Sequence, residues 1–144
     1  MMTVTSTLKM ALVSILFFGA MTWLSSCKGD DSVDPKTQRL NELKATWKIS
    51  QVVNDGNDVT SQYTGMTLTI DGLNYSTKNG GNPWPDSGTY ALIESDLNTL
   101  VRNDNVEVTI DEITVNTLTL SFNYTSVNGR VDGVTGNFTF SLIK

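Results

Sequence analysis

Few side chains in this chain could do chemistry. There is no histidine, which removes the commonest general base and the commonest transition-metal ligand. Cys27 is the only cysteine, so an internal disulfide is excluded and a nucleophile–imidazole relay has no base. The carboxylates Asp104, Glu107, Asp111 and Glu112 fall beside expected strand ends. Paired acids can run glycoside hydrolysis, but acids scattered over a polar surface are far commoner, so no catalytic residue is assigned. Asp55-Gly56-Asn57-Asp58 has the opening of a calcium loop. An EF-hand needs Gly at its sixth position and an acid at its twelfth, where Thr60 and Met66 stand. A turn is the expectation, with no metal site and no cofactor.

The totals narrow the class further. The 144 residues carry 10 Lys and Arg against 15 Asp and Glu, a net charge of −5. That length suits one domain. An acidic balance without a basic cluster argues against nucleic acid, whose phosphates must be neutralised. It argues equally against electrostatic docking on anionic lipid. The oligomeric state stays open.

Location is written at the N-terminus. Residues 1–26 have the parts of an export signal: Lys9, then a nearly uncharged apolar run from Met10 to Leu24, then the small residues Ser25 and Ser26. The run is shorter than the ~20 residues a spanning helix needs; an uncleaved membrane anchor is the other reading. Leu24-Ser25-Ser26-Cys27 resembles the lipobox of bacterial lipoproteins. The resemblance implies cleavage before Cys27, a diacylglyceryl group on its sulfur, and an outer-membrane lipoprotein of the cell envelope. Acyl chains contribute ~0.8 kcal/mol per buried methylene, so several of them anchor a domain firmly.

Residues 27–35 read as a lipidated flexible tether, too polar to fold. Lys28-Gly29-Asp30-Asp31 is similar to the acidic signal that sends lipoproteins of the Bacteroidetes group to the cell surface; a plain solvated spacer is the alternative. Asp31-Ser32-Val33 resembles the short acceptor for O-linked glycans in the same group.

The remaining elements must form the domain, residues 36–144. Asp34-Pro35 has the capping pattern of a helix start, and Leu40 and Leu43 share a face of a short helix ending near Ala45. From Trp47 the apolar period becomes two. Trp47 and Ile49 alternate with polar residues, as do Leu68 and Ile70, Tyr75, Val106 with Val108 and Ile110, and the pair of runs at Leu118–Tyr124 and Val134–Leu142. Asn128-Gly129 between the last two predicts a hairpin. Thr, Ser and Asn fill the alternate positions, as on the solvated face of an antiparallel sheet. Eight or nine short strands with no room for crossover helices predict an all-β fold, a sandwich or an up-and-down barrel.

The helix followed by Leu43-Lys44-Ala45-Thr46-Trp47-Lys48 resembles the start of lipocalins, with Ala45 where their Gly-x-Trp motif has Gly. Pro83-Trp84 and Gly88-Thr89-Tyr90 are similar to later stretches of small lipocalin-like domains in Bacteroidetes lipoproteins. The resemblance implies an eight-stranded up-and-down antiparallel barrel preceded by a short helix, with Trp47 structural near its closed end. It also implies non-catalytic binding of a small apolar or amphipathic ligand, with Tyr75, Tyr90, Phe122, Tyr124, Phe138 and Phe140 as wall residues. An eight-stranded barrel is only just wide enough to hold its own side chains or one small ligand. A filled barrel that contacts a protein or glycan through loops such as Asn79–Pro85 is therefore the alternative. Trp84 either stands exposed on that loop or folds back over the barrel mouth.

Overall fold

Asp34 and Pro35 start helix α1, Pro35–Leu43, and the Asp34 carboxylate accepts the Thr37 N–H at 3.0 Å. That bond satisfies one of the helix's orphan donors. The computed structural model describes residues 32–126 and 134–144. Cys27, the apolar run before it, most of the tether and the Asn128-Gly129 turn lie outside the described residues. Val33–Lys144 form one unit.

Nine strands follow the helix. They are β1 (Ala45–Asn54), β2 (Asn57–Asp58), β3 (Thr67–Asp71), β4 (Asn74–Lys78), β5 (Ser87–Ile93), β6 (Asp96–Arg102), β7 (Glu107–Ile113), β8 (Thr117–Tyr124) and β9 (Gly136–Ile143). From β3 to β9 each strand pairs antiparallel with the next, and β1 pairs with both β3 and β9. The result is a closed eight-stranded antiparallel barrel, as expected, with β2 as a short extra strand hydrogen-bonded to β1. Closure removes every free sheet edge among the eight.

Strand β1 closes the barrel by serving two partners in turn. Ala45–Lys48 pair with β3, and Lys48–Asn54 pair with β9. A register shift between Ile49 and Gln51 changes the inward parity. Both Trp47 and Val52 are therefore buried, although their odd spacing would place them on opposite faces of a regular strand. The Asp55-Gly56 turn joins β1 to β2, with φ of +46° and +81°, the left-handed pair that two-residue hairpins require. Its oxygens are engaged within the fold: Asp55 Oδ1 accepts from Asn137 N and Nδ2, and Asp58 Oδ1 accepts from Thr60 N. Thus the expected turn is present. The two-residue β2 and a 3-10 turn at Thr60–Tyr63 were not legible in the sequence.

The β8–β9 hairpin pairs as the alternation predicts, with Leu120 opposite Phe140 and Phe122 opposite Phe138. Successive strands reverse direction, so the connections alternate between two ends. The β3–β4, β5–β6 and β7–β8 turns share one end with α1, whose Lys36 pairs with Glu94 at 3.1 Å and whose Arg39 donates to Asn98 at 2.9 Å. The longer β1–β3 and β4–β5 connections and the β6–β7 turn share the other end, where β8 ends and β9 begins.

Candidate functional site

Inward positions of every barrel strand meet in one core. Leu68, Ile70, Tyr75, Tyr90, Leu92, Leu100, Val108, Ile110, Leu118 and Leu120 are buried there, with Phe122, Phe138, Phe140 and Leu142. Phe122 stacks on Phe140 at 5.6 Å between centroids and on Phe138 at 5.9 Å. Such pairs contribute roughly 0.5–1.5 kcal/mol each beyond area burial. Of the six expected wall aromatics, Tyr75, Tyr90, Phe122, Phe138 and Phe140 are therefore brought together inside. Tyr124 is only half-buried, at the β8 terminus opposite Gly136.

Between Lys78 and Ser87 the chain leaves the sheet and turns inward. Gly80 permits this return, because a Cβ there would lie 2.6 Å from the Trp84 carbonyl oxygen and 2.8 Å from Thr77 Oγ1. Thr77 Oγ1 donates to the Pro85 carbonyl at 2.9 Å, and Thr77 N donates to the Asp86 carbonyl at 2.8 Å. Held in this way, Trp84 is buried. Its indole meets Tyr75, Phe122 and Phe140 edge-on at 5.7, 5.4 and 6.1 Å. Trp84 thus folds back into the barrel rather than standing exposed at a loop tip.

Beneath it lies a residue that sequence reading missed. Arg102, the last residue of β6, is 1% exposed and is the only buried charged residue among those described. Its Nε donates to Asp104 Oδ1 at 3.1 Å and its Nη2 to Asp104 Oδ2. Its third nitrogen, Nη1, donates to the Pro83 carbonyl at 2.6 Å. The guanidinium carbon sits 4.8 Å from the Trp84 ring centroid, a cation–π contact. Asp104 answers the cost of burying this charge. Burial pushes the Asp104 carboxyl up, but the hydrogen bonds and charge of Arg102 and the Val106 N–H together outweigh it and hold the group below the usual carboxylate range. The only sequence signal for Arg102 was its position two residues after Leu100, on the same strand face.

Three buried side-chain polar atoms at this end have no hydrogen-bond partner within the protein: Asn54 Oδ1 where β1 ends and, inside the barrel, the donors Tyr75 Oη and Trp84 Nε1. Burial raises the Tyr75 hydroxyl above its ordinary value against the opposing pull of Arg102, so it is a donor at neutral pH. Gly88 faces Tyr75 across β4–β5, and a Cβ there would come within 2.5 Å of the Tyr75 hydroxyl. Tyr90 differs, because its hydroxyl donates to the Gly72 carbonyl at 2.7 Å. Burial pushes that hydroxyl up to about 12.

The space left among Leu68, Ile70, Tyr75, Trp84, Tyr90, Leu100, Arg102 and Leu120 is about 10 Å³. That is room for about one water molecule. A larger depression of about 320 Å³ opens on the surface beside the helix, between Asn41, Glu42, Ile113, Thr114, Val115 and Lys144. It contains no buried polar group, so the interior is the better candidate site.

The candidate acids do not converge. Glu107, Asp111 and Glu112 are exposed on β7, where Asp111 accepts from Ser121 Oγ at 3.0 Å, and Asp104 is committed to Arg102. Among the described residues no three His, Cys, Asp or Glu side chains gather as a metal site. A family model described as a lipocalin-like domain matches residues 43–120. No curated protein matches the chain.

Proposed function

Because the chain belongs to the family of lipocalin-like domains, we propose that it is a non-catalytic binding domain whose interior takes one small ligand when Trp84 withdraws. The observation that carries this reading is the nature of the plug. The mouth is filled by a loop side chain, and that filling leaves Tyr75 Oη and Trp84 Nε1 buried without partners. A ligand with an acceptor atom would pair Tyr75 Oη, and withdrawal of the loop would return Trp84 Nε1 to water. Tyr75, Tyr90, Phe122, Phe138 and Phe140 would form the walls, with Tyr124 at the rim.

The domain would work at the cell envelope. The lipobox-like Leu24-Ser25-Ser26-Cys27 supports a lipid on Cys27 as its membrane partner, and the acidic tether supports an outer-membrane lipoprotein of the Bacteroidetes type. Intact mass of the chain from its own cells tests this. The expected species lacks residues 1–26 and carries acyl chains, and Cys27→Ser should abolish palmitate labelling. A full-length unacylated species would refute the anchor.

One observation favours a second reading. The space beneath Trp84, among Leu68, Tyr75, Tyr90 and Arg102, is about 10 Å³, as expected of a filled barrel serving as a structural or interaction module. Native mass spectrometry of the chain isolated from its cells separates the two. A co-purified small molecule supports the ligand reading; ligand-free protein in every preparation supports the filled module.

A further inference from the structure

The Trp84 loop itself describes what the interior would bind. Its two inserted groups are a neutral carbonyl, that of Pro83, and a flat aromatic ring. The carbonyl oxygen sits on Arg102 Nη1 at 2.6 Å. The ring lies against the guanidinium and is bounded edge-on by Tyr75, Phe122 and Phe140. Neither group comes from a barrel strand, so both can leave without breaking a ladder hydrogen bond. Their departure would leave Arg102 Nη1 and Tyr75 Oη as donors lining the same space, with the slot of rings beside them.

Charge balance selects the ligand. Arg102 is already neutralised by Asp104, which holds two of its three nitrogens. A second carboxylate would be brought into an apolar interior with no cation left to match it, and close to Asp104. Burial of an unmatched charge is strongly unfavourable. A neutral acceptor has no such cost and restores the bond now made by Pro83.

We infer that the interior site takes a neutral, flat aromatic molecule of about the size of an indole, with a carbonyl oxygen that accepts from Arg102 Nη1 and Tyr75 Oη. This rests on the reading of the interior as a ligand site.

The test removes the plug and offers three matched probes. The full chain carrying Trp84→Ala is titrated by calorimetry with indole-3-carboxamide, indole-3-carboxylate and 3-methylindole. The carboxamide should bind about tenfold more tightly than 3-methylindole, the worth of one or two net hydrogen bonds. It should exceed the carboxylate by at least as much, and the wild-type chain should bind it more weakly than the variant. Gly80→Ala, whose added methyl clashes with Thr77 Oγ1 and the Trp84 backbone and so displaces the loop, serves as the second route to an open interior should Trp84→Ala not fold. Carboxylate binding as tight as the carboxamide would overturn the neutral-ligand inference and leave the interior site standing. Equal affinity for the carboxamide and 3-methylindole would remove Arg102 and Tyr75 from recognition. Failure of all three probes to bind either variant would overturn the ligand reading itself.

Discussion

The barrel buries two tryptophans, and they are held in opposite ways. Trp47 lies on a strand near the helix end. Its indole N–H donates to the Leu43 carbonyl at 2.9 Å, which ties β1 to the last turn of α1. Trp84 lies on a loop at the other end, and its N–H finds no protein partner. Both rings meet a cation, Lys144 at 4.7 Å and Arg102 at 4.8 Å, yet Lys144 is exposed while Arg102 is buried. Among the described residues, the helix end leaves no buried side-chain polar atom without a partner. The other holds a buried guanidinium paired with a partly exposed carboxylate, three buried polar atoms without a partner in the protein and a side chain carried by a loop. Buried polar groups without a partner are uncommon in native cores, and each calls for a bound water or a functional role to account for it.

The sharpest way to break this comparison is to truncate each ring. Trp47→Ala should cost about 5 kcal/mol, the upper part of the range for buried Trp, because it also strands the Leu43 carbonyl. Trp84→Ala should cost about 3 kcal/mol or less, since its N–H makes no bond and the mouth can admit water. Urea unfolding of both variants measures the difference. Equal costs would make Trp84 an ordinary core residue and end the case for a plug.

The two cations offer the next contrast. Asp104→Asn leaves Arg102 buried with its charge unmatched and should cost roughly 3 kcal/mol, at the low end for breaking a buried pair because Asp104 is itself partly exposed. Lys144→Ala should change stability by no more than about 0.5 kcal/mol, as for most surface substitutions. Acid should find the same weak end. The Asp104 carboxyl is held below its ordinary value of 3.8. The folded state therefore gains stability from it above that value and loses it as pH falls through the lower folded value. Protection of the Trp84 loop in hydrogen exchange should decline below about pH 4 in the wild type. The decline should be weaker in Asp104→Asn, which has no carboxyl to titrate.

How much of this was legible in the sequence follows the same division. At the helix end everything was local: Asp34-Pro35 for the cap, Leu40 and Leu43 for the helix face, Trp47 for the first strand. The paired alternation of Leu118–Tyr124 and Phe138–Leu142 likewise encoded its hairpin, because period two survives wherever one sheet face is buried. At the loop end the signal failed. Arg102 reads as a polar residue that ends a strand, and only the closure of the barrel turns its alternation with Leu100 into burial. Asp104 became its partner through the four-residue connection between β6 and β7, which no periodicity records. Trp84 was visible as unusual between its prolines, but its direction depends on Gly80, whose missing Cβ makes room only once the loop has folded. The register shift in β1 escaped for a similar reason, since Val52 breaks the parity that Trp47 sets.

The finest test keeps the rings aromatic. Trp47→Phe and Trp84→Phe remove the same atoms from two buried sites, so the loss of volume and the weakened cation–π contact roughly cancel between them. What remains is the indole N–H. Trp47→Phe gives up a bond and leaves the Leu43 carbonyl unpaired, whereas Trp84→Phe removes a donor that was buried without a partner. The first should therefore be the more destabilising by about 1 kcal/mol, a typical net hydrogen bond. With matched denaturant slopes, a shift in midpoint alone reads this difference. A Trp84→Phe variant as costly as Trp47→Phe would mean that the Trp84 N–H is well satisfied in solution, and the loop end would lose one of the two unpartnered donors that set it apart.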